Sequence, residues 1–379
     1  MTQHVTLSDA ERIDWLRLSR SENVGPITFR QLLQRFGGAG AALAALPDLA
    51  RRGGRNGALK IHGRNEAASE ITAIHKLGGR LIASVEPDYP LPLAALDDAP
   101  PLITVLGDVA LLTRQAVAIV GARNASANGR RLAEDIARDI GGAGFLVVSG
   151  LARGIDSAAH RGSLRTGTAA VVAGGADMVY PPENGELHHA IAEQGLIVAE
   201  MPLGTVPQAR HFPRRNRLIS GLALGVLVAE AALKSGSLIT ARFALEQGRE
   251  VLAVPGSPLD PRCRGSNNLI RQGATLVESA ADVLAALAAM TPAGPSPISP
   301  PTFSDQEIEI TEFSGDSAAR TGLESLLGPD PVAVDELVRQ CQLSAPSIRA
   351  ALLELELAGR LERHPGNRVS LLLTNAPHR

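Results

Sequence analysis

Lysine, aromatic residues and cysteine are all scarce in this chain, and each shortage narrows the field. Lys60, Lys76 and Lys234 are its only lysines, and its 37 basic residues are balanced by 39 acidic ones for a net charge of −2. That balance excludes a uniformly basic nucleic-acid coat and leaves room for a local basic groove, so clustering of arginine carries the signal. Aromatic residues make up only 3% of the chain, so any stacking is confined to a few positions. Cys263 and Cys341 lie far apart with neither disulfide nor zinc spacing. Gly-Lys never occurs as a dipeptide, which excludes a Walker A phosphate loop. No uncharged apolar window approaches about 18 residues, and MTQHVTLSDAERIDW lacks the form of a signal peptide. A cytoplasmic protein without membrane, metal or cofactor is the expectation.

At 379 residues the chain has room for two or three domains. Residues 1–88 read as short helices forming a SAM-like, helix-hairpin-helix-like module. Asp9 can cap the first; FRQLLQRFGG places Phe29, Leu32, Leu33 and Phe36 on one face before Gly37. Between the two, Gly25-Pro26 in NVGPI marks a tight turn of the kind that offers backbone amides to nucleic acid, although Pro26 removes one amide.

Residues 89–290 change pattern. Apolar runs at 116–120, 145–149, 169–173, 196–200, 225–229, 250–254 and 274–277 alternate with glycine turns and helical stretches. Continuous Val, Ile, Leu and Ala mean burial on both faces, so these runs predict a Rossmann-like, doubly wound, mostly parallel α/β sheet. Residues 291–318, rich in Pro and Ser, read as a linker. Residues 319–379 read as a winged helix: helices at about 334–341 and 345–358, then two short strands around Pro365-Gly366.

Ligands of such sheets bind beyond the carboxyl ends of the strands. Gly121 and Arg123 follow the first run there, but Arg123 stands where a dinucleotide fingerprint needs its second glycine. Ser149, Gly150, Arg153 and Gly154 follow the second run, with Asp156 and His160 one helical turn apart. This last pair invites a general-base reading; a helix cap and its packed neighbour explain it equally. After the fourth run, HFPRRNRLISGL gathers Arg214, Arg215 and Arg217 around Asn216 near an expected helix start at Arg214. Cations there oppose the helix dipole unless an anion relieves them, or unless they pair with acids such as Glu200 and Glu230. Lys234, Ser235, Gly236 and Thr240 follow the fifth run. His188 and His189 read as surface residues on different faces of a helix.

These stretches resemble one known family. VAIVGARNASANG, VSGLARGIDSAAHRGSL, GTAAVVAGGADMVYPPEN, AEMPLG, FPRRNRLISGLA, VLVAEAALKSGSLITARFALEQGREVLAVPG and GSNNLIRQGATLV are similar, in order, to the motifs of the DNA-processing protein A family, DprA or Smf. The likeness spans about 89–278, and the flanking SAM-like and winged-helix modules also fit it. The resemblance implies a non-catalytic protein that binds single-stranded DNA, protects it during natural transformation (competence), and helps load the RecA recombinase in recombination. Single-strand-binding protein and a second copy are further implied partners. The positions it carries over to a DNA-binding role are Gly121, Arg123, Ser149, Gly150, Gly154, Phe212, Arg214, Asn216, Arg217, Lys234, Ser235, Gly236 and Thr240. Arg153 and Arg215 join them on charge alone, and Leu269, Ile270 and Leu276 stand for a dimer surface.

A competing class is a nucleotide-processing enzyme of the lysine-decarboxylase-like phosphoribohydrolase type. Its P-G-G-x-G-T-x-x-E signature is completed neither by Pro255-Gly256-Ser257 nor by Ser235-Gly236-Ser237. A transcription regulator would rest on the winged helix alone, whose expected recognition helix carries Arg349 but several acids.

Overall fold

The computed structural model describes residues 5–290, 323–341, 344–364 and 366–372; the linker expected at 291–318 lies outside them, as does Pro365. Contacts divide the chain into two compact units, one carrying residues 69–290, the other residues 7–68 with the described residues beyond 322.

In the second unit, α1 (Asp9–Arg20), α2 (Pro26–Phe36) and α3 (Ala39–Arg52) pack on one another. The cap of α1 is Ser8, not Asp9: Ser8 accepts from the Glu11 amide while Glu11 reaches back, a reciprocal box that satisfies two free donors. Gly37 ends α2 in the left-handed region at φ 73°. Phe29 and Leu32 are buried, and the Phe29 ring meets Trp15 edge-on at 5.0 Å. The helix α4 (Arg64–Lys76) follows.

In the sheet unit, β1 (Gly79–Ala83) and β2 (Leu102–Gly107) flank the short α5 (Leu91–Ala94). The sheet strands that follow are β3 (Ala116–Val120), β4 (Leu146–Ser149), β5 (Thr168–Val172), β6 (Leu196–Ala199), β7 (Gly225–Val228), β8 (Glu250–Ala253) and β9 (Thr275–Leu276). They match the apolar runs to within a residue. The helices between them are α6 (Ala127–Gly142), α7 (Ile155–Ser163), α8 (Gly185–Gln194), α9 (His211–Leu222), α10 (Ser237–Glu246), α11 (Arg264–Arg271) and α12 (Ala280–Met290).

The strand order is β1-β2-β6-β5-β4-β3-β7-β8-β9, parallel from β6 to β9, with β2 antiparallel to both β1 and β6. Residues 79–83 therefore belong to the sheet and not to the helical module expected over 1–88. Ala116, Ala118 and Val120 enter one apolar layer with α9, while Val117 and Ile119 enter the opposite layer with α6 and α7. Period-two alternation thus buries a strand without a polar face.

The winged helix comprises β10 (Val332–Ala333), α13 (Val334–Gln340), α14 (Ala345–Leu357), β11 (Leu361–His364) and β12 (Arg368–Leu371). Its three-stranded sheet, ordered β10-β12-β11, covers a small core of Leu337, Ile348, Leu352 and Val369.

Candidate functional site

Strand β3 has β4 on one side and β7 on the other, so the chain winds away from it in both directions. A crevice opens at such a switch point beyond the carboxyl ends. Beyond β4 and β5 it deepens to a cleft of about 180 Å³ lined by Arg123, Arg153, Tyr180, Phe212 and Arg215, among others.

The Phe212 ring lines the cleft and gathers three of the other lining side chains around it. Its centroid lies 5.6 Å from Tyr180, 5.2 Å from the Arg123 guanidinium and 5.9 Å from that of Arg215. Such guanidinium and ring faces attract both phosphate oxygens and planar bases. Arg123 is exposed and has no carboxylate within ion-pair distance among the described residues. Arg215 is buried and donates to the Val171 carbonyl at 3.0 Å. Burial lowers its pKa to about 10 despite the Asp156 carboxylate, so it remains a cation at neutral pH. Arg153, on the rim, lies 3.8 Å from Glu183.

The turn between β4 and α7 is shaped from behind. Asp156 is not the helix cap, a place held by Gly154 without a side-chain bond. Its carboxylate instead accepts the Gly150 and Ala152 amides at 3.2 and 3.3 Å. Burial pushes its pKa up, and Arg215 partly offsets that. Burial likewise holds His160 down to about 3, hence neutral: Nε2 accepts from the Leu151 amide at 3.3 Å, and Nδ1 meets Thr168 Oγ1 at 2.7 Å. Ser149 is fully buried and donates to the Ile119 carbonyl at 2.6 Å, so its hydroxyl serves the scaffold and not the cleft surface. Gly154 has φ 79° and ψ −119°, and a Cβ there would fall 2.2 Å from the Ala122 carbonyl oxygen. Only glycine lets the turn close against Gly121-Ala122.

The arginine cluster separates. Helix α9 begins at His211, earlier than the expected Arg214, because a first turn needs no N–H from Pro213. Arg214 and Arg217, one turn apart, both donate to Glu200 Oε1, at 3.2 and 2.7 Å. Arg217 also donates to the Asp98 carbonyl, and its side chain is only 7% exposed. Burial opposes its charge, but Glu200 and Asp98 more than compensate and raise its pKa. The internal ion-pair reading thus holds for Arg217 and in part for the half-exposed Arg214, while Arg215 turns into the cleft. Glu230 takes no part: it accepts from the amide and hydroxyl of Ser126.

Asn216 donates to the Gly236 carbonyl at 3.3 Å, Ser235 and Ser237 share a hydroxyl contact at 2.7 Å, and Thr240 is buried. Of that turn, Lys234 and Gly236 remain exposed. The structure corrects two further expectations. Leu269 lies in the core and Ile270 packs against it, leaving Leu276, 48% exposed on edge strand β9, as the free member of the expected dimer set. His188 is buried with Nε2 against the Ala176 carbonyl, and only His189 is a surface residue. Tyr180 also lines the cleft, a place signalled in the sequence only by its position in the motif ending VYPPEN as one of two tyrosines. Among the described residues no cluster of His, Cys, Asp or Glu could hold a metal, and no helix is long and apolar enough to cross a membrane.

Fold and cleft together define a multidomain Rossmann-like protein whose switch-point crevice suits a polyanion bearing planar rings. Comparison with known sequences gives the family: the chain belongs to the DNA recombination-mediator protein A family, which residues 80–288 match. Residues 9–73 match the DprA-like N-terminal HHH domain and 313–367 the DprA winged helix domain. Protein Smf of Synechocystis sp. is 32% identical over 394 residues, covering 96% of this chain and 99% of the relative. DNA processing protein DprA of Bacillus subtilis is 43% identical over 216 residues, covering 56% and 73%. Among solved structures, DprA from Streptococcus pneumoniae superposes with a TM-score of 0.60 at 34% identity, over 74% of this chain and 98% of the other. DprA of Helicobacter pylori, described for its single-stranded DNA binding mode, gives 0.51 at 28%, over 56% and 96%.

Proposed function

We propose that the protein binds single-stranded DNA in the switch-point cleft, with Arg123 and Arg215 on phosphates and Phe212 and Tyr180 against bases. The observation that carries this reading is the Phe212 ring, which lines the cleft and is flanked within 6 Å by both guanidinium groups. Arg153, Arg214 and Lys234 extend the cationic rim beside the turns at Gly121 and Gly236, while Gly150, whose amide is taken by Asp156, shapes the cleft wall. Arg217, Ser149, Asn216 and Thr240 support it from within. The description of the Helicobacter pylori relative favours the same ligand.

The wider role we propose, which family membership favours, is that of a cytoplasmic mediator that shields incoming single strands during natural transformation, passes them to RecA, meets single-strand-binding protein, and pairs with a second copy. The protein acts by binding and not by catalysis; Asp156 and His160 are taken up in holding the turn. The test is fluorescence anisotropy with Arg123→Ala. Loss of one phosphate contact should shallow the salt dependence by about 0.7 in log–log slope. An unchanged slope and affinity would remove the cleft from the account.

A further inference from the structure

Helix α14 is apolar on two sides. Ile348, Leu352 and Leu355 enter the core of the winged helix, whereas Leu353 and Leu357, also buried, lie outside that core. At about 100° per residue they point to the opposite side of the helix. That side packs against α2 and α3 of the N-terminal module.

Polar contacts follow the same seam. Asn23 Nδ2 donates to the Leu357 carbonyl at 3.2 Å, and Arg360, paired with Glu324 at 2.9 Å, reaches the Gly53 carbonyl at 3.4 Å. Gly53, at the end of α3, comes so close that a Cβ would fall 1.9 Å from the Glu354 carbonyl oxygen. Its φ of −68° and ψ of −2° suit any residue, so the contact, not the conformation, demands glycine.

The seam also covers the hairpin turn. Helix α2 starts at Gly25-Pro26 without a side-chain cap. The Glu356 carboxylate, held by Arg363 at 2.7 Å, sits with Oε1 3.8 Å from where a Gly25 Cβ would be. An uncapped helix start attracts anions, and a carboxylate of the same chain lies beside this one.

We propose that the winged helix is a protein-binding clamp whose partner is the chain's own N-terminal helical module, and that it closes the Asn23–Pro26 turn to nucleic acid. The helix that would read a DNA groove faces protein instead. DNA phosphates and Glu356 compete for one helix end, so an open clamp adds a second nucleic-acid contact to the protein.

Gly53→Ala in the full-length chain tests this, since the new methyl strikes only the seam. Hydrogen exchange of amides in 23–28 and 355–360 should rise together by about tenfold or more while the core amides of both modules stay protected. Affinity for a single-stranded oligonucleotide should rise, with a salt slope steeper by about 0.7 per added phosphate contact. Asn23→Gly, which removes one hydrogen bond and tolerates the left-handed φ of 60° at this position, should move both readouts less in the same direction and serves if Gly53→Ala misfolds. Unchanged exchange in both segments would overturn the clamp; raised exchange with unchanged affinity and slope would overturn the masking. The DNA arm rests on the single-strand reading above, whereas the exchange arm does not, so the two can fail separately.

Discussion

Arg217→Ala should leave the protein less stable while sparing its affinity for DNA. The guanidinium is 7% exposed and donates to Glu200, itself 11% exposed, and to the Asp98 carbonyl. Removing one partner of a buried ion pair costs about 3–5 kcal/mol, because the other charge stays buried without compensation. Glu200 keeps Arg214 at 3.2 Å, which places the expectation near the lower end, at about 3 kcal/mol. For a domain of this size that is a fall in Tm of roughly 6–12 °C. Thermal melts by circular dichroism, paired with anisotropy titrations corrected for folded fraction, give both quantities on one sample. Arg123→Ala should do the opposite: a melting point near that of the wild type and weakened single-strand binding. If Arg217→Ala melts normally yet loses single-strand affinity, the assignment of Arg217 to the scaffold is wrong.

Phe212→Ala should weaken single-strand binding by about 1–3 kcal/mol, the usual worth of one base stacked on an aromatic ring, measurable by the same titration. Gly154→Ala should lower stability by about 1–3 kcal/mol, read by chemical denaturation, since alanine at φ 79° is strained and its methyl strikes the Ala122 carbonyl. His160 binds its proton with a pKa of about 3 when folded against 6.5 for the free side chain. Below pH 6.5 the unfolded chain therefore takes up a proton that the native state refuses, and stability falls by about 1.4 kcal/mol per pH unit from this group as pH drops toward 3. Subtracting the pH profile of His160→Asn from that of the wild type should isolate this loss, and coincident slopes between pH 6 and pH 4 would refute it.

The parallel sheet was legible because each strand buries both faces and so appears as an unbroken apolar run; β3 is the plainest, its five residues all buried. Strand β1 was not, since GRLIA follows a helical stretch and only its pairing with β2 makes it part of the sheet. The arginine cluster was legible as a site but not in its division of labour. Arg214 and Arg217 are three apart on a helix and share a face, which suits a common acid, while Arg215 is rotated away from both. That geometry could be drawn from spacing, but the partner Glu200 lies on another segment, and only the fold brings it beneath α9. Tyr180 reaches Phe212 for the same reason, across a long stretch of chain. The mutual contact of the two terminal modules left no trace in periodicity, because Leu353 and Leu357 read equally well as core of the winged helix.

The central claim is that the cleft holds single-stranded DNA through phosphates and a few stacked bases. The most direct measurement is wild-type affinity for a single-stranded oligonucleotide and for its duplex across a salt series. The account predicts tighter binding of the single strand, little dependence on base sequence, and a log–log salt slope of about −0.7 for each phosphate held. Equal affinity for the duplex, or a response flat in salt, would contradict it.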